Sequence, residues 1–345
     1  RNCYNTGEVS GSDYVGGVCG WNNMSATIEN CYNTGDVSGS NSVGGVCGWN
    51  SYDTIENCWN IGSVSGDENV GGVCGRNDDI GTIENCYNTG NVSGNVSGNN
   101  NMGGVCGVNG GTIENCYNTG YVSGGTAGGV CGASYGGTIE NCYNTGAVSG
   151  ESNVGGVCGY NNGTITNCYN TGTVIGSGSN VGGVCGYNND STITNCYNTG
   201  TVIGSGSSNV GGVCGYNNDS GTITNCYYLK GTAASDGGGT MLTESAFGVQ
   251  SNFNGWDFNS VWEMDIPLGR PVLKDNKEES ETDCGDGSAD TPYLISGVGQ
   301  LAAFASVVNG GETDVHAKLM NDIVIQTDVL KNDGTLNGDG SNFMD

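Results

Sequence analysis

The stretch NCYNTGEVSG at Asn2–Gly11 and its companion VGGVCG at Val15–Gly20 recur in alternation until NCYYLKG at Asn225–Gly231. The NCY-type cysteines are Cys3, Cys31, Cys58, Cys86, Cys116, Cys142, Cys168, Cys196 and Cys226, spaced 26 to 30 residues apart. The VCG cysteines are Cys19, Cys47, Cys74, Cys106, Cys131, Cys158, Cys185 and Cys214, each 10 to 12 residues before the next NCY cysteine. Length varies only in the polar stretches after VSG or VIG and after the VCG cysteine. Such a pattern marks stacked coils, because every position that pairs with the coil above must repeat, whereas a loop that pairs with nothing need not.

Each coil offers three extended pieces, TIENCYN, TGxVSG and VGGVCG. They are rich in Val, Ile, Thr and Tyr and bounded by Gly, Asn and Ser, which reads as strands and turns. The predicted fold is all-β: a parallel β-solenoid (β-helix) over residues 1–228, with about eight coils of 26–30 residues. Three apolar stacks follow from the alignment: Ile28 with its equivalents to Ile223, Val18 with those to Val213, and Val9 with those to Val202. Asparagines flanking each NCY, such as Asn30 and Asn33, suit turn ladders, since Asn tolerates left-handed backbone and bonds its counterpart one coil away. The paired glycines of VGG suit corners where no Cβ fits.

Composition supports this reading. The 345 residues include 67 Gly and only 3 Pro, and β-branched residues with Gly disfavour helix. The net charge is −27, and it is spread: residues 1–228 hold 16 acidic and 2 basic side chains, residues 229–345 hold 19 and 6. That balance excludes nucleic acid and anionic membrane as partners. No apolar run reaches transmembrane length, so membrane insertion is not expected. The chain opens inside a repeat and reads as a mature or partial chain.

Beyond Cys226 the rhythm stops. Residues 229–274 read as a capping region over the last coil, with a short helix at Thr243–Val249. Residues 275–287 are a charged linker. Residues 288–345 form a small α+β C-terminal module: a strand around Tyr293–Ile295, a helix over Gly299–Val308 and a strand in KLMNDIVI.

Two readings of the cysteines stand open. Either they are reduced, buried ladders, since free Cys behaves as a small hydrophobe, or one disulfide closes each coil, since the two types alternate without a miss. Zinc is not expected, because there is no CxxC and His316 is the sole histidine.

The repeats NTGxVSG…VGGVCGxN…TIENCYNTG resemble the GLUG-motif repeats of bacterial secreted and cell-surface proteins. WDFNSVWEMD…GRPVLK resembles the segment that closes such arrays, and GDGSADTPYLISGVGQLAAFASVVNGG…KLMNDIVI the segment that opens one. The resemblance implies a secreted or surface-displayed protein with a structural or adhesive role. It also implies self-association, with residues 288–345 of one copy covering the open coil of the next in a head-to-tail filament; a segment of a longer stalk is the other arrangement. Cys stands here where the family's VGGLVG-type repeats carry an aliphatic residue, a departure that favours the disulfide reading.

Candidate chemistry is sparse. Glu29, Glu56, Glu84, Glu114 and Glu140 recur at one position, with Thr166, Thr194 and Thr224 replacing them later. A catalytic site needs unlike residues converging once, so identical periodic carboxylates read as a solvated face and no enzyme is expected, although β-helices do host carbohydrate-active enzymes. The aromatic ladder Tyr4, Tyr32, Trp59, Tyr87, Tyr117, Tyr143, Tyr169 and Tyr197 is the candidate for contact with a glycan on a host or neighbouring surface, if its rings face out. No cofactor is expected. The one calcium-like rhythm, Asp333–Ser341, lacks a Glu at its twelfth position.

Overall fold

The computed structural model describes residues 1–96, 100–206, 209–276, 285–311, 314–321 and 323. These fall into two compact units. The first comprises residues 1–242, 253–262 and 273–276, and the second residues 243–252, 263–272 and those described from 285 onward.

The first unit is a parallel β-solenoid. Each repeat pairs in register with its equivalent one coil away: Tyr4 with Tyr32, Thr54-Ile55-Glu56 with Thr82-Ile83-Glu84, Val64 with Val92, Cys74 with Cys106. The VSG and VGG sheets have eight strands each, and the NCY sheet has ten. Its tenth strand is Thr240–Leu242, which pairs with Tyr227–Leu229. Just before it, the backbone carbonyls of Thr232, Ser235, Asp236 and Gly237 accept from Val202, Gly212, Val213 and Cys214. Residues 232–242 thus extend the last coil with sequence that no longer repeats.

A coil contains five short strands rather than three. In the second coil they are Thr27–Glu29, Tyr32–Asn33, Val37–Ser38, Asn41–Gly44 and Cys47–Ser51. TIENCYN is split because the Asn before each NCY cysteine takes left-handed backbone, as at Asn30 (φ 53°) and Asn141 (φ 51°). VGGVCG is split at its second glycine. A Cβ on Gly45 would lie 2.2 Å from the carbonyl oxygen of Gly72 and 2.3 Å from Cγ of Asn60, so neighbouring coils touch backbone to backbone there. In two coils the strands that follow VCG run together into one, Cys131–Glu140 and Cys158–Thr166.

The core divides into two apolar clusters. One stacks Ile28, Cys31, Val46 and Cys47 with their equivalents. The other stacks Val37 and Val43 with theirs, with Met102 and Ala127 replacing Val at two rungs of the latter. The Val43 column is a fourth apolar stack beyond the three expected. Beside the VGG corner, where one cluster gives way to the other, runs a column of buried carboxamides. Nδ2 of Asn5 donates to Oδ1 of Asn33 (2.7 Å), and the relay continues through Asn60, Asn88, Asn118, Asn144 and Asn170 to Asn198 at 2.8 Å per step. Each donor also reaches a glycine carbonyl two residues on, as Asn88 reaches Gly90 at 2.7 Å. The column satisfies polar groups that burial would otherwise penalise, and it fixes register, because a slipped coil leaves carboxamides without partners.

The second unit contains helices Glu244–Phe247 and Val298–Asn309 and a parallel strand pair, Tyr293–Ile295 with Ala317–Leu319. Thr243 caps the first helix, accepting from Ala246 N at 3.3 Å. Gln300 Oε1 accepts from the backbone of Ser296 (2.7 Å) and Gly297 (3.1 Å), closing the entry to the second. The helices approach closely at Gly248, where a Cβ would lie 2.4 Å from the carbonyl oxygen of Gly299. Among the described residues no helix is long and apolar enough to cross a membrane. Cys284, and the calcium-like stretch Asp333–Ser341, lie outside the described residues.

Candidate functional surface

The seventeen cysteines of the repeats are free thiols, so the disulfide reading is corrected. The geometry explains why. Each cysteine meets its own kind one coil away: Cys47 is paired in register with Cys74, and the backbone N–H of Cys31 points at Sγ of Cys58 (3.3 Å). The thiols have another task. Sγ of Cys31 donates to the carbonyl of Glu29 (3.2 Å), and Sγ of Cys47 to that of Trp49 (3.3 Å); the same bond recurs at Cys86 and Cys158. An aliphatic side chain at these positions cannot make that bond. Burial pushes the thiols of Cys47, Cys74, Cys131, Cys142 and Cys226 well above the ordinary value, which makes them poor nucleophiles.

The NCY aromatic ladder forms one stack. Successive rings from Tyr4 to Tyr197 lie 4.8–5.9 Å apart with planes within 9° of parallel. Ring faces are therefore turned toward one another, and the outward surface is made of ring edges. The two ends of the stack also differ. Tyr4 is 65% exposed, while Tyr143, Tyr169 and Tyr197 are buried. Residues 253–262 lie over that buried stretch: Trp262 is 6.2 Å from Tyr169 and 6.1 Å from Tyr197, and Trp256 is 6.1 Å from Tyr197. Trp256 Nε1 donates to the carbonyl of Asn225 (2.9 Å), and Asn276 Nδ2 to those of Cys116 (3.2 Å) and Asn141 (2.9 Å). This part of the expected cap covers the flank of the solenoid. Of the eight rings expected to contact a glycan, Tyr143, Tyr169 and Tyr197 are thus buried.

The carboxylates Glu29 to Glu140 stack in register, one per coil, on the outer side of strands whose isoleucines face the core. Arg1 pairs with Glu29 at 2.8 Å. Glu140 titrates above the usual carboxylate range, because partial burial and then the charge of Glu114 both disfavour its ionised form.

A second outward aromatic row escaped the sequence reading. It stands two residues after each VCG cysteine, at Trp21, Trp49, Arg76, Val108, Ala133, Tyr160, Tyr187 and Tyr216, of which Val108 and Ala133 are buried. Trp21 and Trp49 stack at 5.0 Å, and the Arg76 guanidinium lies over Trp49 at 5.8 Å. Tyr135 joins the row beside Tyr160 at 5.5 Å. Counting from the VCG cysteines exposes this column in the sequence; its mixed identity hid it.

The family model of the GLUG motif matches residues 11–38, 66–93, 123–149, 150–175 and 177–203. No curated protein matches the chain. Among solved structures, similarity is found to one from Bacteroides ovatus provisionally assigned as an immunoglobulin A1 protease. The identity is 19%, covering 72% of this chain and 78% of that one with a TM-score of 0.43, and no property is carried over from it. The matches fall at five places along the solenoid, in step with its coils, and the matched repeats are similar to the GLUG motif.

Proposed function

We propose that the chain is a structural and adhesive scaffold acting outside the cell, as a segment of a surface stalk or of a head-to-tail assembly. The observation that carries this reading is the in-register pairing of successive coils, which shifts at one bulge between Tyr135 and Thr138. The in-register carboxylates are identical to one another, and residues 1–228 hold only two basic side chains to set beside them. Catalysis calls for unlike groups converging at one place, and this surface repeats like groups instead. A stack of coils held by nearest-neighbour contacts lengthens by adding coils, and a second copy presenting the same ladders extends it in the same way.

The test is labelling of intact producing cells with a membrane-impermeant amine reagent. Labelling before lysis is the expected result. Labelling that appears only after lysis overturns the extracellular reading. For self-association, negative-stain microscopy across a concentration series is expected to show linear assemblies. Monodisperse single rods throughout would leave the stalk segment and remove the filament.

A further inference from the structure

The two outward aromatic rows differ in what their ring faces touch. Along the NCY row the faces cover one another. Along the tyrosine stretch of the VCG row they are tilted: Tyr135 to Tyr160 by 42°, Tyr160 to Tyr187 by 63°, Tyr187 to Tyr216 by 39°, at centroid distances of 5.3–5.5 Å. A tilted ring leaves part of its face open to solvent. Opposite these tyrosines stands a row of carboxamides. Asn180 Nδ2 donates to Asn153 Oδ1 (2.8 Å), so Asn180 retains a second N–H and Asn153 a second lone pair. Between the two walls runs an open groove whose lining, from Asn101 to Tyr187, consists only of Tyr, Asn, Ser and Thr. In a chain with 35 acidic residues, this groove is lined by none.

We propose that this groove binds a neutral, linear glycan laid along the coil axis, with Tyr160 and Tyr187 against the sugar faces and Asn153 and Asn180 on the hydroxyls. Tyr160 with Asn153 is repeated one coil on by Tyr187 with Asn180, so a ligand that spans both rungs must repeat as well, and a linear polysaccharide does. Each sugar presents an apolar C–H face to an aromatic ring and hydroxyls to carboxamides, which is the pairing the two walls offer. The absence of charge in the lining selects a neutral sugar over a uronate or sulfated one. A peptide added by strand pairing needs a free edge, and the strands on both walls are already paired on both sides: Cys158–Thr166 with both neighbouring coils, Asn153–Gly155 likewise. Nucleic acid needs cations that the groove lacks. The proposal goes beyond the scaffold role and is independent of it, since a rod that binds no sugar still spans a distance.

The test uses the full chain against immobilised neutral linear hexasaccharides of glucose, mannose, xylose and galactose in both anomeric linkages, with an oligouronate alongside. Retention of at least one neutral glycan is expected, weakened tenfold or more by Tyr160→Ala with Tyr187→Ala and little changed by Tyr121→Ala, an exposed tyrosine outside both rows. Ser179→Trp, at an exposed position on the groove wall, is expected to block binding while leaving the core untouched, so the prediction holds even if the double variant folds poorly. Retention of no neutral glycan, preference for the uronate, binding that survives Ser179→Trp, or loss caused by Tyr87→Ala instead would each overturn the assignment.

Discussion

The NCY side and the VCG side of each coil are built from the same ingredients, a carboxamide column and an aromatic row, yet they differ in regularity. On the NCY side the carboxamides relay from Asn5 to Asn198 without interruption, and the rings lie parallel. On the VCG side the relay from Asn22 through Asn50 and Asn77 to Asn109 breaks at Ser134. It resumes from Asn161 through Asn188 to Asn217. Ser134 turns its hydroxyl to the carbonyl of Gly137 (3.3 Å), and Asn161 Oδ1, buried at the next rung, has no hydrogen-bond partner among the described residues. The tyrosines there tilt, and the adjoining loops vary in length. One side of the coil sets register; the other tolerates change, and it is the side that carries the groove.

The largest expected effect is on the flank that only the NCY side has. Trp262 is fully buried against Tyr169 and Tyr197. Trp262→Ala is expected to cost about 3–5 kcal/mol in denaturant unfolding, and a cost near zero would show that residues 253–262 do not hold this face. Next comes the relay itself. Asn118→Ala removes bonds to Asn144 and Gly120 and leaves one N–H of Asn88 without its partner, an expected loss of about 2–3 kcal/mol. The matching change on the tolerant side runs the other way. Ser134→Asn restores the interrupted relay and gives Asn161 a donor, for an expected gain of about 1 kcal/mol; a loss would mean the break is required by the local backbone.

The smallest effect concerns charge. Glu140→Thr copies the residue that occupies this position one coil on, at Thr166, and relieves repulsion from Glu114, an expected gain of up to about 1 kcal/mol. The sign of the pH dependence follows from its raised pKa. The folded state holds the Glu140 proton more tightly than the unfolded state, so this contribution to stability is present below the unfolded carboxylate pKa and is lost as pH rises through the folded one. Denaturation midpoints of the parent chain should therefore fall across that window more than those of Glu140→Thr. Parallel curves would remove Glu140 as the source.

What was legible in the sequence divides along the same line. Register, parallel pairing, three of the four apolar columns and the left-handed Asn30-type turns are all written in positions that repeat. The Val43 column was missed because it abuts the VGG corner and reads as part of a turn. The fate of the thiols was not legible, because their acceptors are backbone carbonyls, such as that of Glu29, which carry no sequence signal. The cover over Tyr143–Tyr197 was missed because residues 253–262 do not repeat, and a non-repeating segment announces composition but not where it lies. The groove was missed because its tyrosines share a column with Trp, Arg, Val and Ala.

The central claim is that each repeat is an interchangeable unit whose NCY strand sets the register of the next. The most direct measurement compares two deletions by circular dichroism and denaturant unfolding. Removing residues 32–58, one full coil, joins Cys31 to Trp59, the in-register partner of the deleted Tyr32. Removing residues 32–45 joins Cys31 to Val46 and puts the repeat before the junction out of phase with those after it. The first variant is expected to keep the parent's β-sheet signal per residue and a cooperative transition, and the second to lose the signal of the coils at the junction and to unfold less cooperatively. Equal tolerance of the two deletions, or collapse of the whole-coil variant, would contradict the account.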